Sequence, residues 1–194
     1  MKKYEFTGET KQINLLFRTA TLHRIRAVVE FGLVKIGDLG GWIEKEENLS
    51  HDGKAWVCGD AEVWGNAEVW GNAEVCGDAK VWGNAKVWGN AKVWGNAKVW
   101  GNAEVWGNAE VFSASHVLVI GAIGSRNDFT TFFRDKDGEI TVKCGCFLGK
   151  IDRFLEKVAS THGNSKYALV YRAAVEVAKL QIDLTGEAPE MDEE

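Results

Sequence analysis

From Ala55 onward, apolar residues recur at two positions in every six. Valine holds one of them from Val57 to Val117 without a miss, and alanine holds the position two before it from Ala55 to Ala109. Between Gly59 and Phe112 the chain is written in words such as GDAEVW, GNAEVW, GDAKVW and GNAKVW, in strict phase. A period of six fits neither an α-helix nor a plain hairpin, but it fits a short strand followed by a turn. Alternation along A-[EK]-V-W places Ala and Val on one face and the charge and Trp on the other. Gly-Asn then offers two residues that tolerate positive φ, so the chain turns a corner. Three such sides close a triangular coil of 18 residues, and coils stack by parallel pairing at about 4.8 Å.

The words themselves support that coil length. CGDA occurs at Cys58–Ala61 and again at Cys76–Ala79, 18 residues on. Folded at 18, Glu68 lies under Lys86 under Glu104, and Glu74 under Lys92 under Glu110. The third column, Glu62–Lys80–Lys98, contains one like-charge step. Alternating signs favour this register over a slipped one. They also argue against a nucleic-acid stripe, which would not set acids above and below its lysines.

A coil this narrow has room for Val and Ala but not for three indoles per layer, so the tryptophans face outward. They fall into columns: Trp64, Trp82, Trp100 on one side and Trp70, Trp88, Trp106 on the second, each able to stack. The third side carries Cys58, Cys76, Trp94 and Phe112. Self-stacking that stiffens the rod is one role for these columns; burial between subunits of a homo-oligomer, a trimer above all, is the other. A carbohydrate platform is a third.

The ends of such a rod need caps. LHRIRAVVEF and GLVKIG read as strands joined at Gly32, GDLGGW as a turn with no phosphate-loop ending, and Ile43 and Leu49 as the start of the six-residue phase. Beyond Val117, SHVLVIGAIGSRNDFTTFFRDKDGEITVKCGCF reads as a last coil and then a hairpin around DKDG. Two helices follow. One carries Ile151, Phe154, Leu155 and Val158 on one face and stops at Gly163; the other carries Ala168, Tyr171, Val175, Ala178 and Ile182. The predicted fold is mainly β. A single-stranded parallel β-helix spans 43–123, between an N-terminal β cap over 1–42 and a β-hairpin plus two-helix module over 124–184. A disordered acidic tail, GEAPEMDEE at its core, spans 185–194.

Composition narrows the setting. Among 194 residues the net charge is −5, which disfavours a general nucleic-acid binder. No apolar run is long enough for a signal peptide or a membrane span, and the four cysteines read as free thiols of a cytosolic protein.

The run GDLGGWIEKEENLSHDG before tandem VWGNA words, with IGSRND, CGCFLGKIDRFLEKV and KYALVYRAAVEVAKL after them, resembles a family of bacteriophage and prophage hexapeptide-repeat accessory proteins with a left-handed β-helix. The likeness covers nearly the whole chain, and its flanking motifs are more distinctive than the repeats. It implies a phage or prophage gene product in the cytoplasm of a bacterial host cell, and it brings no established activity.

Candidate chemistry is sparse. Hexapeptide-repeat β-helices include many acyltransferases with a histidine base, a fold-level analogy only. His116, in the Glu/Lys slot of the last coil and so facing out, is the catalytic candidate. Cys144-Gly-Cys146 puts two thiols on one strand face but lacks a second ligand pair, so no metal and no cofactor are expected. GAIGSRND is a ligand-binding candidate: backbone amides around Gly124, Ser125 and Asn127, with Arg126, Thr130 and Thr131, could hold an anionic group. The expected function is a non-enzymatic interaction scaffold that self-associates and engages a host protein. Sequestration of a small anion or nucleotide by the 121–131 loop is one alternative, and acyl transfer is another.

Overall fold

The computed structural model describes residues 1–185. Three N-terminal strands, β1 (Tyr4–Asn14), β2 (Thr19–Ala27) and β3 (Leu39–Ile43), come first. Among the described residues ten two-residue strands then follow, one per word: β4 (Trp56–Val57), β5 (Glu62–Val63), β6 (Glu68–Val69), β7 (Glu74–Val75), β8 (Lys80–Val81), β9 (Lys86–Val87), β10 (Lys92–Val93), β11 (Lys98–Val99), β12 (Glu104–Val105) and β13 (Glu110–Val111). The chain ends in β14 (Val117–Ile123), β15 (Asp128–Arg134), β16 (Ile140–Cys144), β17 (Phe147–Lys150), α1 (Ile151–His162) and α2 (Lys166–Gln181). The protein is thus mainly β, with a β-solenoid of about four stacked turns, a C-terminal sheet and two helices.

Each short strand pairs in parallel with the one three words further on, as Glu68 with Lys86, Lys86 with Glu104 and Val75 with Val93. Three ladders result: β3-β5-β8-β11, β4-β7-β10-β13 and β6-β9-β12. Ala and Val of every word point inward and are fully buried, which a two-residue alternation demands. Glycine is required at each turn by its positive φ, and within the stack by the close approach of the next layer as well. Gly83 has φ +75°, and a Cβ there would come within 2.9 Å of the Gly101 backbone in the next layer. The asparagines were expected to share that conformation and do not; the one non-glycine residue with positive φ among the described residues is Asn127. They form side-chain ladders instead, Asn66–Asn84–Asn102 at 3.2 and 3.0 Å and Asn72–Asn90–Asn108 at 3.1 and 3.3 Å.

The free-thiol reading fails for two of the cysteines: Cys58 and Cys76, 18 residues apart and so neighbours in one column, form a disulfide, while Cys144 and Cys146 are free.

The N-terminal cap is an antiparallel sheet, β1 on β2 on β3, that runs straight into the first ladder through Trp42 with Glu62 and Ile43 with Val63. The LGGW part of GDLGGW is therefore strand, while Gly37, at φ +94°, and Asp38, whose N–H reaches the Lys35 carbonyl at 3.1 Å, keep the expected turn. Gly40 and Gly41 are there because nothing larger fits: a Cβ on Gly40 would lie 2.5 Å from the Ile25 side chain, and one on Gly41 2.7 Å from the Ala61 carbonyl. GLVKIG makes a tight turn with a single bridge, Phe31 to Val34, and no strand.

The C-terminal part departs further from expectation. Val117 keeps the valine phase but opens an antiparallel meander, β14-β15-β16-β17, in place of a last coil. The hairpin around DKDG is present between β15 and β16. Phe133 and Val117 from this sheet join the Val/Ala core and close its upper end, whereas Phe132, on the opposite face of β15, enters a second core with Phe154, Val158, Tyr171 and Val175. Both helices bury the faces expected of them, and α1 stops at Gly163 with φ +56°. Apart from Thr185, the expected acidic tail lies outside the described residues.

Candidate ligand groove between solenoid and sheet

Alternation along β15 divides the residues of the candidate loop. The stretch 124–127 is the turn of the β14–β15 hairpin, closed by Asn127 N–H to the Gly124 carbonyl at 3.3 Å, with Asn127 at φ +49°. Gly124 is positive in φ, and a Cβ on it would overlap the Tyr171 ring tip at 2.0 Å, so the hairpin rests directly on α2. Thr130 turns to the helical side, where its hydroxyl meets Cys144 Sγ at 3.3 Å. Thr131 turns to the solenoid and its Oγ1 accepts the Glu104 N–H at 3.0 Å, satisfying an upward-pointing amide of β12.

Two constellations follow from that split. On the helical side, Ser125 Oγ lies 3.4 Å from His162 Nε2, and the His162 ring stacks on Tyr171 at 5.8 Å. Burial, followed by the neighbouring Cys144, raises the Tyr171 phenol above its ordinary pKa. Nothing oriented by a third group completes a nucleophile there.

On the solenoid side is a groove of about 540 Å³ lined by Asn84, Lys86, Asn102, Glu104, Arg126, Asp128, Phe129, Thr131, Lys143 and Gly145. It gathers three cations from three parts of the chain. Lys86 comes from the repeat and has no carboxylate within ion-pairing distance among the described residues. Arg126 comes from the hairpin turn, its guanidinium lying over Gly145 where any Cβ would meet it at 2.9 Å. Lys143 comes from β16, bonds the Gly145 carbonyl and pairs with Glu104 at 2.8 Å. Asn84 and Asn102, rungs of one asparagine ladder, add amides, and Phe129 adds a half-exposed ring. Of the residues expected from the sequence, Arg126 and Thr131 line the groove, and Gly124, Ser125, Asn127 and Thr130 do not.

His116 is not on the surface. The chain leaves the repeat after Phe112 and makes a short 3-10 turn, Ala114–His116, which swings the imidazole inward until it is 2 % exposed. Its Nδ1 accepts the Phe112 N–H at 3.3 Å, so it ties off the top of the β4-β7-β10-β13 ladder. Burial, helped by Arg134, holds its pKa below the ordinary histidine value. A buried, neutral and engaged ring is badly placed to serve a substrate outside.

The tryptophan columns are present. Trp64–Trp82–Trp100 stack at 5.1 and 5.5 Å, and Trp70–Trp88–Trp106 at 4.9 and 5.2 Å. Within each column the ring faces are spent on one another, which leaves edges outward and a free face only at the column ends, as at Trp100. The column tryptophans all lie outside the Val/Ala core, as expected, but their exposure is uneven. Trp64 and Trp94 are only 7 % and 9 % exposed, whereas Trp100 is 47 % exposed. Lys92 covers the Trp94 ring at 4.5 Å, and Phe112 at the top of the third column packs against His116 and Arg134.

A second depression, of about 510 Å³, lies at the other end around His51 and carries the opposite sign, with Glu46, Glu47 and Glu68 in its wall. No protein-family model matches the sequence, and no curated protein matches it either.

Proposed function

We propose that the chain is a non-enzymatic binding protein whose solenoid, a triangular β-helix built from six-residue words, is a rigid scaffold. Its groove takes a small anionic ligand that also carries a planar ring. The observation behind this reading is the convergence of Lys86, Arg126 and Lys143 on one groove beside two asparagine amides and the Phe129 ring. Cations bind the anionic group by charge-assisted hydrogen bonds, amides fix its orientation, and the ring offers a stacking surface. A nucleotide has this chemistry. The setting implied by the resemblance, a phage or prophage accessory protein in a bacterial cytoplasm, suits sequestration of such a host metabolite.

Calorimetric titration with adenosine monophosphate, and separately with inorganic phosphate, tests this. Arg126→Ala should weaken both by about 1.5–3 kcal/mol, one charged hydrogen bond. Phe129→Ala should weaken the nucleotide alone. Equal affinity in the Arg126→Ala protein, or no binding of either probe at millimolar concentration, rejects the reading.

Self-association, with a trimer favoured, is the second reading, and the Trp70–Trp88–Trp106 column supports it. This column forms a continuous, partly exposed indole edge along one side of the solenoid. A host protein could use the same edge. Sedimentation at micromolar concentration distinguishes these, since a clean monomer removes the oligomer without touching the groove.

A further inference from the structure

The three charge columns of the solenoid end differently at the C-terminal side. Glu110 ends its column facing Arg134 at 3.7 Å, and Glu104 ends its column on Lys143 at 2.8 Å. In both, the chain beyond the repeat also supplies an acceptor for an upward-pointing amide: Thr131 Oγ1 of β15 for Glu104, and His116 Nδ1 of the 3-10 turn for Phe112. The third column ends on Lys98, which sits on Lys80 in the ladder with no carboxylate within ion-pairing distance among the described residues.

The backbone above Lys98 is equally unfinished. In the layer below, the N–H groups of Lys80, Trp82 and Asn84 donate upward to Ala97, Val99 and Gly101. The corresponding N–H groups of Lys98, Trp100 and Asn102 have no acceptor among the described residues. Space is open as well. A Cβ on Gly83 or Gly89 would strike the next layer and one on Gly95 would strike the Phe112 carbonyl, but nothing lies within 4 Å of one on Gly101. The outer face of Trp100 is the bare end of its stack.

We infer that β11 is a docking edge for an extended segment of another protein, added as the next parallel strand. An exposed edge with a row of unpaired donors is what strand addition uses, and alternate side chains of the guest set specificity. The fit defines the guest. Its first residue is acidic, because two stacked lysines stand beneath it. The second points inward above Val99, which is already fully buried beneath the Val117 and Phe133 end of the core, so it is glycine, and the third is aromatic, to cover Trp100. Its carbonyls accept from Lys98, Trp100 and Asn102. This surface meets the groove at Asn102, which belongs to both, while Lys98 and Trp100 lie outside the groove lining.

The test uses the full chain and a blocked peptide containing Thr-Glu-Gly-Trp-Gly, with Thr-Lys-Gly-Trp-Gly as its partner probe. The Glu peptide should bind, and it should slow amide hydrogen exchange at Lys98, Trp100 and Asn102, not at Lys80 or Trp82, which are already bonded. Lys98→Glu, an exposed change that leaves the core untouched, should weaken the Glu peptide about tenfold and make the Lys peptide the better ligand. Trp100→Ala should weaken both. Equal binding of the Glu peptide by the Lys98→Glu protein, or exchange at those three amides that is slow without peptide, overturns the inference, as does failure of the Glu peptide to bind at millimolar concentration.

Discussion

The core of the solenoid is alanine and valine throughout, in rows that touch only the layers above and below. Its aromatic rings are all outside that core above Trp56 until Phe133 closes the end, and in two of the three columns they stack face to face. The C-terminal module buries its aromatics instead. Phe132, Phe154 and Tyr171 meet edge to face at 6.5 and 5.6 Å between sheet and helices. The first arrangement spreads small, equal contributions along a line, and any layer is worth about as much as the next. The second concentrates stability in a few large side chains. The difference bears on where chemistry can sit. A line of identical layers yields columns of one side chain, so the varied set of groups in the groove arises only where the module lies against the rod.

Truncation at the two cores should separate them most widely. Phe132→Ala is expected to cost about 3–5 kcal/mol, with loss of the helices, because it empties the centre of the second core. Val87→Ala removes two methyl groups that contact only the neighbouring layers and should cost about 2 kcal/mol. Thermal unfolding followed by far-ultraviolet helix signal and by tryptophan emission measures both at once. Equal losses would mean that rod and module unfold as one unit and that the contrast drawn above is false.

At the N-terminal end the contrast sharpens around one lysine. Lys3 is buried under the cap, its ammonium bonded to the Ala55 carbonyl at 2.7 Å and placed over Phe31 at 4.9 Å. Burial, opposed in part by Asp52, lowers its pKa from 10.5 to about 8. Between those values the unfolded chain binds more protons than the folded one, so stability rises with pH across that window. Tyr4 acts the other way. Burial, then Glu46 and Glu47, raises its pKa above the ordinary value of 10.0, so the folded state is penalised as pH passes that point. Solenoid stability should therefore climb from pH 8 to a maximum near pH 10, by on the order of 1 kcal/mol, then fall. Lys3→Met should abolish the climb and keep the fall. A flat profile in the unmodified protein would show the amine to be better hydrated than its surroundings suggest.

What could be read from the sequence follows the same divide. The ladder register was legible because each word carries all of it: an inward pair, an outward pair, and a glycine that has no room for a side chain. Cys58 and Cys76 were legibly neighbours in that register, and only the inference from compartment kept them apart as thiols. Reading failed where the phase outlived the structure. Val117 continues the valine count, yet the missing Gly-Asn word after Phe112 was the sign that the coil had ended, and the same error placed His116 on the surface. The GGW end of GDLGGW, read as turn but found in β3, failed for another reason. Glycine in a strand marks a tight approach as often as a turn, and sequence does not say which residue approaches. Lys86 and Lys143 could not have been joined to Arg126 without knowing that β15 lies across β12.

The smallest effect tests what holds the layers in register. Reversing Lys86 would be costly if its column were a chain of ion pairs with Glu68 below and Glu104 above. The ladder places them as partners, yet Lys86 reaches neither carboxylate, and Glu104 is held by Lys143. Among the described residues the ion pair that does close between solenoid layers is Glu62 with Lys80, at 3.1 Å. Lys86→Glu should therefore cost less than about 1 kcal/mol, and adding Glu68→Lys should return no more than a few tenths at physiological salt. Asn84→Ala, which breaks two hydrogen bonds of the adjacent asparagine ladder, should cost about 0.5–1 kcal/mol and show no salt dependence. Chemical denaturation of the two single variants and the double variant gives the coupling directly. A Glu68–Lys86 coupling above about 1 kcal/mol, fading with salt, would show that the charged columns close in solution and that charge, as well as amide, sets the register.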